Sequence, residues 1–410
     1  MQCIADHTGA ASGRPLARYG SIKESNFGVR RPFGLTAHST VRRGSKRPAA
    51  TIQKIARSLF FKRQCVWKSL WKRSTSVIFV MGFMGFAHGQ STSGDSHAMS
   101  TAERPFFFIE KPGAPRLAMQ LQPPSPSQDR SIAAGDVVYV HGATFGANLS
   151  IFYRFQGRSW ADALNDIGLS VWGFDFAGYG NSDRYPPADE PVGRMNAAVA
   201  QLRRVVHAVR EKNGDRPVAL VAHSWGASVA ARYAGTYPQD VKALVLFAPI
   251  VMRTATPAAL PLGKAPATYP LSLWSQYRRF IEDVPRGSAQ VLDEADIQTW
   301  GQAYLASDPE AGRRMPPAVT TPFGPVADIG ALWSGHPLYD PSLVNVPTLL
   351  IRGAWDSLCT DADAARLLAA IGSSDKADSR VDRATHLMHL ESARGELHQR
   401  VNVFLARTMK

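Results

Sequence analysis

Short apolar runs that alternate with helix-like stretches restrict this chain more than any other feature. Asp136-Val137-Val138-Tyr139-Val140-His141, Ser170-Val171-Trp172-Gly173-Phe174-Asp175, Pro217-Val218-Ala219-Leu220 and Val241-Lys242-Ala243-Leu244-Val245-Leu246-Phe247 are almost wholly apolar. A strand with one wet face alternates apolar and polar residues. These runs do not, so both of their faces are expected to be buried. Between them lie helical stretches: Trp160 to Ile167, Val192 to Glu211 with apolar Ala198, Leu202, Val205 and Val206, and Ser228 to Ala234. Doubly buried strands separated by helices imply an α/β fold, a mostly parallel sheet flanked by helices. An opening pair of strands, Phe106 to Glu110 and Arg116 to Leu121, surrounds Pro112-Gly113, and a polar, Pro-rich loop follows at Pro123 to Gln128. The alternation stops near Pro249. Residues 250–343 are rich in Pro and Trp without clear strands, and Leu271 to Asp283 and Glu294 to Ala306 read as helices. The pattern resumes with Val346 to Arg352, a helix from Asp361 to Ile371, a strand near Ser379 to Asp382 and a closing helix from Ser392 to Ala406. The expected layout is a core of residues 105–249 and 344–410, with 250–343 inserted as a largely helical cap over the sheet.

The net charge of +14 suggests nucleic acid until its distribution is considered. Residues 1–89 hold 16 of the 47 Lys and Arg but only two acids, Asp6 and Glu24, so residues 90–410 hold 31 of each sign. The body is neutral overall and has no net attraction for a polyanion. Residues 1–65 are basic and poorly patterned, and are expected to be disordered or not translated. In 66–89, basic Lys68, Lys72 and Arg73 precede the apolar run Thr75 to Ala87, and Ala87-His88-Gly89 offers small residues at a cleavage site. That is the order of a secretory signal, and its 13 apolar residues fall short of the roughly 20 that span a bilayer. The expectation is a true start near Val66 and an exported protein, periplasmic or secreted. The alternative is a membrane anchor with a basic cytoplasmic tail. Residues 90–104, rich in Ser, Thr and Gly, read as a linker. After cleavage Cys359 alone remains, so no intramolecular disulfide is expected.

The chemistry centres on Val221-Ala222-His223-Ser224-Trp225-Gly226-Ala227. A serine between small residues at a strand-to-helix turn matches the nucleophile elbow, with Ala222 in place of the first glycine. Three further motifs follow the same logic of strand ends: His141-Gly142-Ala143-Thr144, Asp175 to Arg184, and the pair Gly353-Ala354-Trp355-Asp356 with Ala384 to Glu391. On these four motifs, taken in order, the chain from about residue 105 onward resembles the α/β-hydrolase superfamily, in its serine-nucleophile, esterase- and lipase-like branch with a cap insertion. The chain order Ser, Asp, His is the one this superfamily uses.

A serine hydroxyl is a weak nucleophile and needs a base, and the base needs a carboxylate to fix its tautomer. Ser224, His386 and Asp356 would fill these roles; Ser224 and Asp356 are 132 positions apart, and Asp356 and His386 are 30 apart. His389 is a competing base, expected instead at the start of the final helix. Asp361 and Asp363 read as helix-start residues, Asp175 and Asp183 as braces for loops, His141 as a structural residue of its loop, and His223 as pointing away from the site. The resemblance implies an oxyanion hole from the backbone N–H groups of Trp225 and Ala143. No cofactor or metal is expected: no Cys/His cluster has zinc spacing, and Gly178-x-Gly180 lacks the rest of a dinucleotide fingerprint.

The expected function is hydrolysis of a carboxylic ester through an acyl-enzyme. Trp274, Tyr277, Phe280, Trp300, Tyr304 and Trp333 would either line an apolar pocket for a moderately large hydrophobic small-molecule ester or pack the insertion onto the sheet. The same residues would also suit cleavage of amides, lactones or carbon–carbon bonds, or acyl transfer. A non-catalytic binding protein on this fold is the reading from another class.

Overall fold

The computed structural model describes residues 106–124, 135–254 and 265–410. The basic segment, the signal-like run, the linker and most of the loop after Pro123 lie outside the described residues.

Eight strands form one sheet: β1 (Phe107–Lys111), β2 (Ala114–Gln122), β3 (Gly135–Val140), β4 (Leu169–Phe174), β5 (Val218–His223), β6 (Val241–Phe247), β9 (Thr348–Gly353) and β10 (Lys376–Val381). Their spatial order is β1-β2-β4-β3-β5-β6-β9-β10. The pairs β1–β2 and β2–β4 are antiparallel, and every pair from β4 to β10 is parallel.

The apolar runs behave as two-sided strands. Val138 and Val140 of β3, Leu220 and Ala222 of β5, and Leu244 and Leu246 of β6 enter one core cluster. That cluster is shared with helices α2 (Met195–Asn213), α3 (Trp225–Thr236) and α7 (Asp361–Ala370). The alternate residues Val137, Tyr139, Ala219, Val221, Ala243 and Val245 enter a second cluster, with α1 (Trp160–Asn165) and α8 (Arg394–Thr408). The period of two along each strand thus feeds two hydrophobic layers, which is why the strands lack polar alternation.

From β3 the chain runs outward to β4, then returns to the other side of β3 to form β5. The crevice between β3 and β5 is therefore the topological switch point of the sheet. In open α/β sheets ligands bind there, at the carboxyl ends of the strands. His141 follows β3 and Ser224 follows β5, while Asp356 and His386 follow β9 and β10.

The segment between β6 and β9 departs from the sequence expectation. It contains α4 (Leu273–Ile281), α5 (Glu294–Ala306) and α6 (Gly324–Trp333), but also an antiparallel ribbon of β7 (Thr268–Ser272) and β8 (Ala318–Pro322). Each strand is five residues long and carries a proline, Pro270 or Pro322. That composition reads as loop, but in a two-stranded ribbon each strand is an edge, where a missing N–H can face outward. The ribbon and helices pack through Phe280, Val291, Leu292, Trp300, Tyr304 and Val319 onto Phe145, Leu149, Leu387 and Leu390 of the sheet domain. Trp300 is fully buried, and its indole N–H donates to Leu149 O at 2.9 Å. Among the described residues no helix is long and apolar enough to cross a membrane.

Candidate active site

Ser224 sits between β5 and α3 with φ 58° and ψ −125°. A non-glycine residue in this region carries strain of order 1–3 kcal/mol, tolerated only where the surroundings impose it. Here the Ser224 N–H donates to Phe247 O at 2.9 Å. Its carbonyl accepts from Ala227 N at 3.0 Å and Ile250 N at 3.3 Å. Gly226 makes the turn possible: a Cβ there would lie 2.2 Å from His141 O. Gly142 approaches from the β3 side, less tightly: a Cβ there would lie 3.0 Å from His223 Nδ1 and 3.3 Å from Ser224 Cβ.

Three side chains that are far apart in sequence meet at this turn. His386 Nε2 lies 2.8 Å from Ser224 Oγ. His386 Nδ1 lies 2.9 Å from Asp356 Oδ2 and 3.1 Å from Oδ1. The carboxylate accepts at Nδ1, so the proton belongs on Nδ1 and Nε2 is free to accept from the serine. Asp356 Oδ1 also accepts from Leu358 N at 2.8 Å and Cys359 N at 3.0 Å. Burial pushes the Asp356 carboxyl up, but the His386 imidazole and these donors offset that and hold it below the usual carboxylate range. Ser224, His386 and Asp356 are 6%, 3% and 5% exposed, so the whole group is buried.

The backbone N–H groups of Ala143 and Trp225 belong to the turns after β3 and β5, which approach each other at Gly142 and Ser224. Ala143 shares a planar peptide with Gly142 O, which lies 2.8 Å from His141 Nδ1. His141 Nε2 accepts from Phe176 N at 2.9 Å, so the ring's proton is on Nδ1 and is donated to Gly142 O. Burial lowers the pKa of His141, in keeping with a neutral ring in this tautomer. The Trp225 N–H belongs to the peptide of Ser224 O and is the first of α3, a position with no acceptor within the helix. The Trp225 indole donates to Asp328 Oδ2 at 3.1 Å. Asp328, wholly buried in α6, also accepts from Met195 N at 2.7 Å and Arg194 Nε at 2.5 Å.

The competing residues fall elsewhere. His389 lies in a 3-10 turn before α8, not in the helix, and its buried ring stacks on Phe145 at 6.0 Å. Asp361 pairs with Arg352 and Arg380, and Asp363 completes a capping box with Thr360. Asp175 accepts from Ala147 N and Asn181 N, and Asp183 from Arg116 N, so both brace loops. His223 is a partial departure: its ring stacks on Phe247, and Nε2 lies 3.1 Å from the main-chain oxygen of His386. It therefore contacts the backbone of His386 rather than pointing wholly away from the site. Of the aromatic residues between β6 and β9, Phe280, Trp300 and Tyr304 are packed in the interface. Trp333 instead lies under Arg253.

Glu391 was not singled out from sequence. Its wholly buried carboxylate accepts from Thr385 N at 3.0 Å and from the Thr385 hydroxyl, tying down the loop that carries His386. Burial pushes this carboxyl up to about 7 against the lowering effect of the Thr385 bonds. Among the described residues no group of three or more His, Cys, Asp or Glu could hold a metal ion.

The family described as "alpha/beta hydrolase fold" matches residues 137–393, and the chain belongs to it. Among solved structures it is similar to the thioesterase domain from the curacin biosynthetic pathway, at 18% identity and a TM-score of 0.51, covering 73% of this chain and 99% of that one. It is also similar to the serine hydrolase CarC involved in carbazole degradation, at 17% identity and a TM-score of 0.51, covering 74% and 99%. At these identities the likeness concerns the fold. A search of the curated proteins found no match.

Proposed function

We propose that this chain is a serine hydrolase that cleaves a carboxylic ester through an acyl-enzyme. The observation that carries this reading is the unbroken path from Ser224 Oγ to His386 Nε2, and from His386 Nδ1 to Asp356, at the strained turn after β5. Ser224 Oγ attacks the ester carbonyl as its proton passes to His386 Nε2. Asp356 stabilises the imidazolium that results. The N–H groups of Ala143 and Trp225, with the N-terminus of α3 behind them, hold the oxyanion. His386 then gives its proton to the leaving alkoxide, and the alcohol departs. Water, activated by the same imidazole, attacks the acyl-enzyme and releases the acid. The aromatic residues of the β6–β9 segment, packed on Phe145 beside the oxyanion loop, support an apolar acyl or alcohol group. In this reading the segment is a cap. The signal-like run at 66–89 supports export, which N-terminal sequencing of the natural mature protein decides.

A panel of p-nitrophenyl esters of graded acyl length tests the reaction class. Hydrolysis of at least one of them is expected, and failure with all of them by folded protein would overturn the ester reading. The oxyanion assignment has its own expected result. In His141→Ala the Gly142 carbonyl loses its donor, so the Ala143 N–H loses its aim. Removing an oxyanion donor outright costs about 10²–10³ in kcat, and misaiming one is expected to cost about tenfold or more, with KM little changed. Steady-state kinetics check this; a kcat within about twofold of wild type would remove Ala143 from the mechanism.

A further inference from the structure

Arg253 lies just beyond β6, and its guanidinium reaches the loop that carries Asp356. Its Nη2 is 3.2 Å from Ser357 O and 3.2 Å from Leu358 O. Those two carbonyls are not ordinary acceptors. Ser357 C=O and Leu358 N–H form one planar peptide unit, and Leu358 C=O and Cys359 N–H form the next. Both N–H groups donate to Asp356 Oδ1, at 2.8 and 3.0 Å. Each peptide is thus held between a cation at its oxygen and a carboxylate at its N–H, and both charges polarise it in the same sense.

The guanidinium is itself fixed on several sides. Asp363 takes Nη2 at 2.8 Å and Nε at 3.2 and 3.3 Å. The ring of Trp333, at the end of α6, lies 4.4 Å from the guanidinium carbon, and Arg253 N donates to Leu332 O at 3.1 Å. Arg366 also meets Asp363, at 3.1 Å, so two cations flank one carboxylate and the cluster keeps an excess positive charge beside the loop. The β6–β9 segment, through Trp333, and α7, through Asp363, therefore converge on one side chain that grips the loop of the acid.

We propose that Arg253 is a positioning residue for Asp356: it pins the two peptide groups that hold Oδ1 and so fixes the carboxylate edge presented to His386. This rests on the hydrolase reading above, in which Asp356 is the acid of the triad. An arginine is suited to the task because its planar fork serves several acceptors at once, which a lysine ammonium at the end of a flexible stem does not.

The test uses the full chain and p-nitrophenyl butyrate, with kcat referred to folded protein measured by far-UV circular dichroism. Arg253→Gln is expected to lower kcat about tenfold with KM within about twofold, and Arg253→Lys to fall between it and wild type. In an Asp356→Asn background, Arg253→Gln is expected to change kcat by less than about twofold, because the carboxylate it positions is already gone. A general packing role would instead subtract the same factor in both backgrounds. An unchanged kcat in Arg253→Gln, or a full tenfold loss on top of Asp356→Asn, would overturn the proposal. If Arg253→Gln does not fold, Arg253→Lys decides, and wild-type kcat there overturns it. Fluorophosphonate labelling of the wild type runs alongside. No adduct at Ser224 overturns the hydrolase reading and this proposal with it; an adduct with unaffected Arg253 kinetics overturns the role of Arg253 alone.

Discussion

Replacing Ser224 by alanine is expected to lower kcat/KM for ester hydrolysis by about 10⁴-fold or more, while the melting temperature stays close to wild type. The size of the effect follows from the position of the hydroxyl. It lies 2.8 Å from His386 Nε2 at the carboxyl end of β5. Ser228, one turn along α3, is wholly buried and donates to Ile250 O at 2.8 Å, so it cannot serve. The fold survives because the backbone at residue 224 is held by Phe247 O, Ala227 N and Ile250 N, which the alanine retains. What would remain is the uncatalysed rate improved by binding and the two proposed N–H donors. Steady-state assay with thermal denaturation checks both halves. Residual activity above about one part in a hundred would mean that another group is the nucleophile.

Asp356→Asn is expected to lower kcat by about 10³–10⁴-fold, about 4–5.5 kcal/mol of barrier, with little change in KM. The contacts say how. Oδ1 receives the N–H groups of Leu358 and Cys359, so an asparagine keeps its oxygen there. Its NH₂ then occupies the Oδ2 position, 2.9 Å from His386 Nδ1. An NH₂ can only donate, so Nδ1 must accept and the ring proton moves to Nε2. That tautomer cannot take the proton of Ser224. The Leu358 and Cys359 bonds remain, so the loop stays in place and the loss is in chemistry rather than in folding. Kinetics together with a melting curve separate the two. A kcat within about tenfold of wild type would show that Asp356 is not the acid of the triad.

Much of this architecture is readable in the residues, for identifiable reasons. The strands of the sheet announce themselves because both faces are buried, so no polar alternation dilutes the apolar signal in Val137 to Val140 or Ala243 to Phe247. Ser224, Asp356 and His386 stand out because the proposed chemistry would require those residue types in short motifs at strand ends, and the sheet brings those strand ends together.

The parts that escape are those supplied from a distance. Helix α2 begins at Met195 rather than near Val192 because Gly193 adopts φ 75° and Arg194 is extended. Arg194 offers no side-chain cap; the cap on Met195 N is Asp328, brought in by α6. No local pattern can mark such a start. Arg253 and Asp328 escape for the same reason, since their importance lies in partners more than a hundred residues away. The β7–β8 ribbon escapes because its prolines mask a weak strand signal. Glu391 stands in a recognised motif, but only the folded loop shows that its carboxylate grips Thr385.

The central claim is that Ser224 is activated by His386. The most direct test is reaction of the full chain with a fluorophosphonate, followed by peptide mapping, which needs an activated serine but no knowledge of the substrate. A single adduct on Ser224, lost in His386→Ala, is the predicted result. Folded protein that forms no adduct, or forms one at another residue, would contradict it.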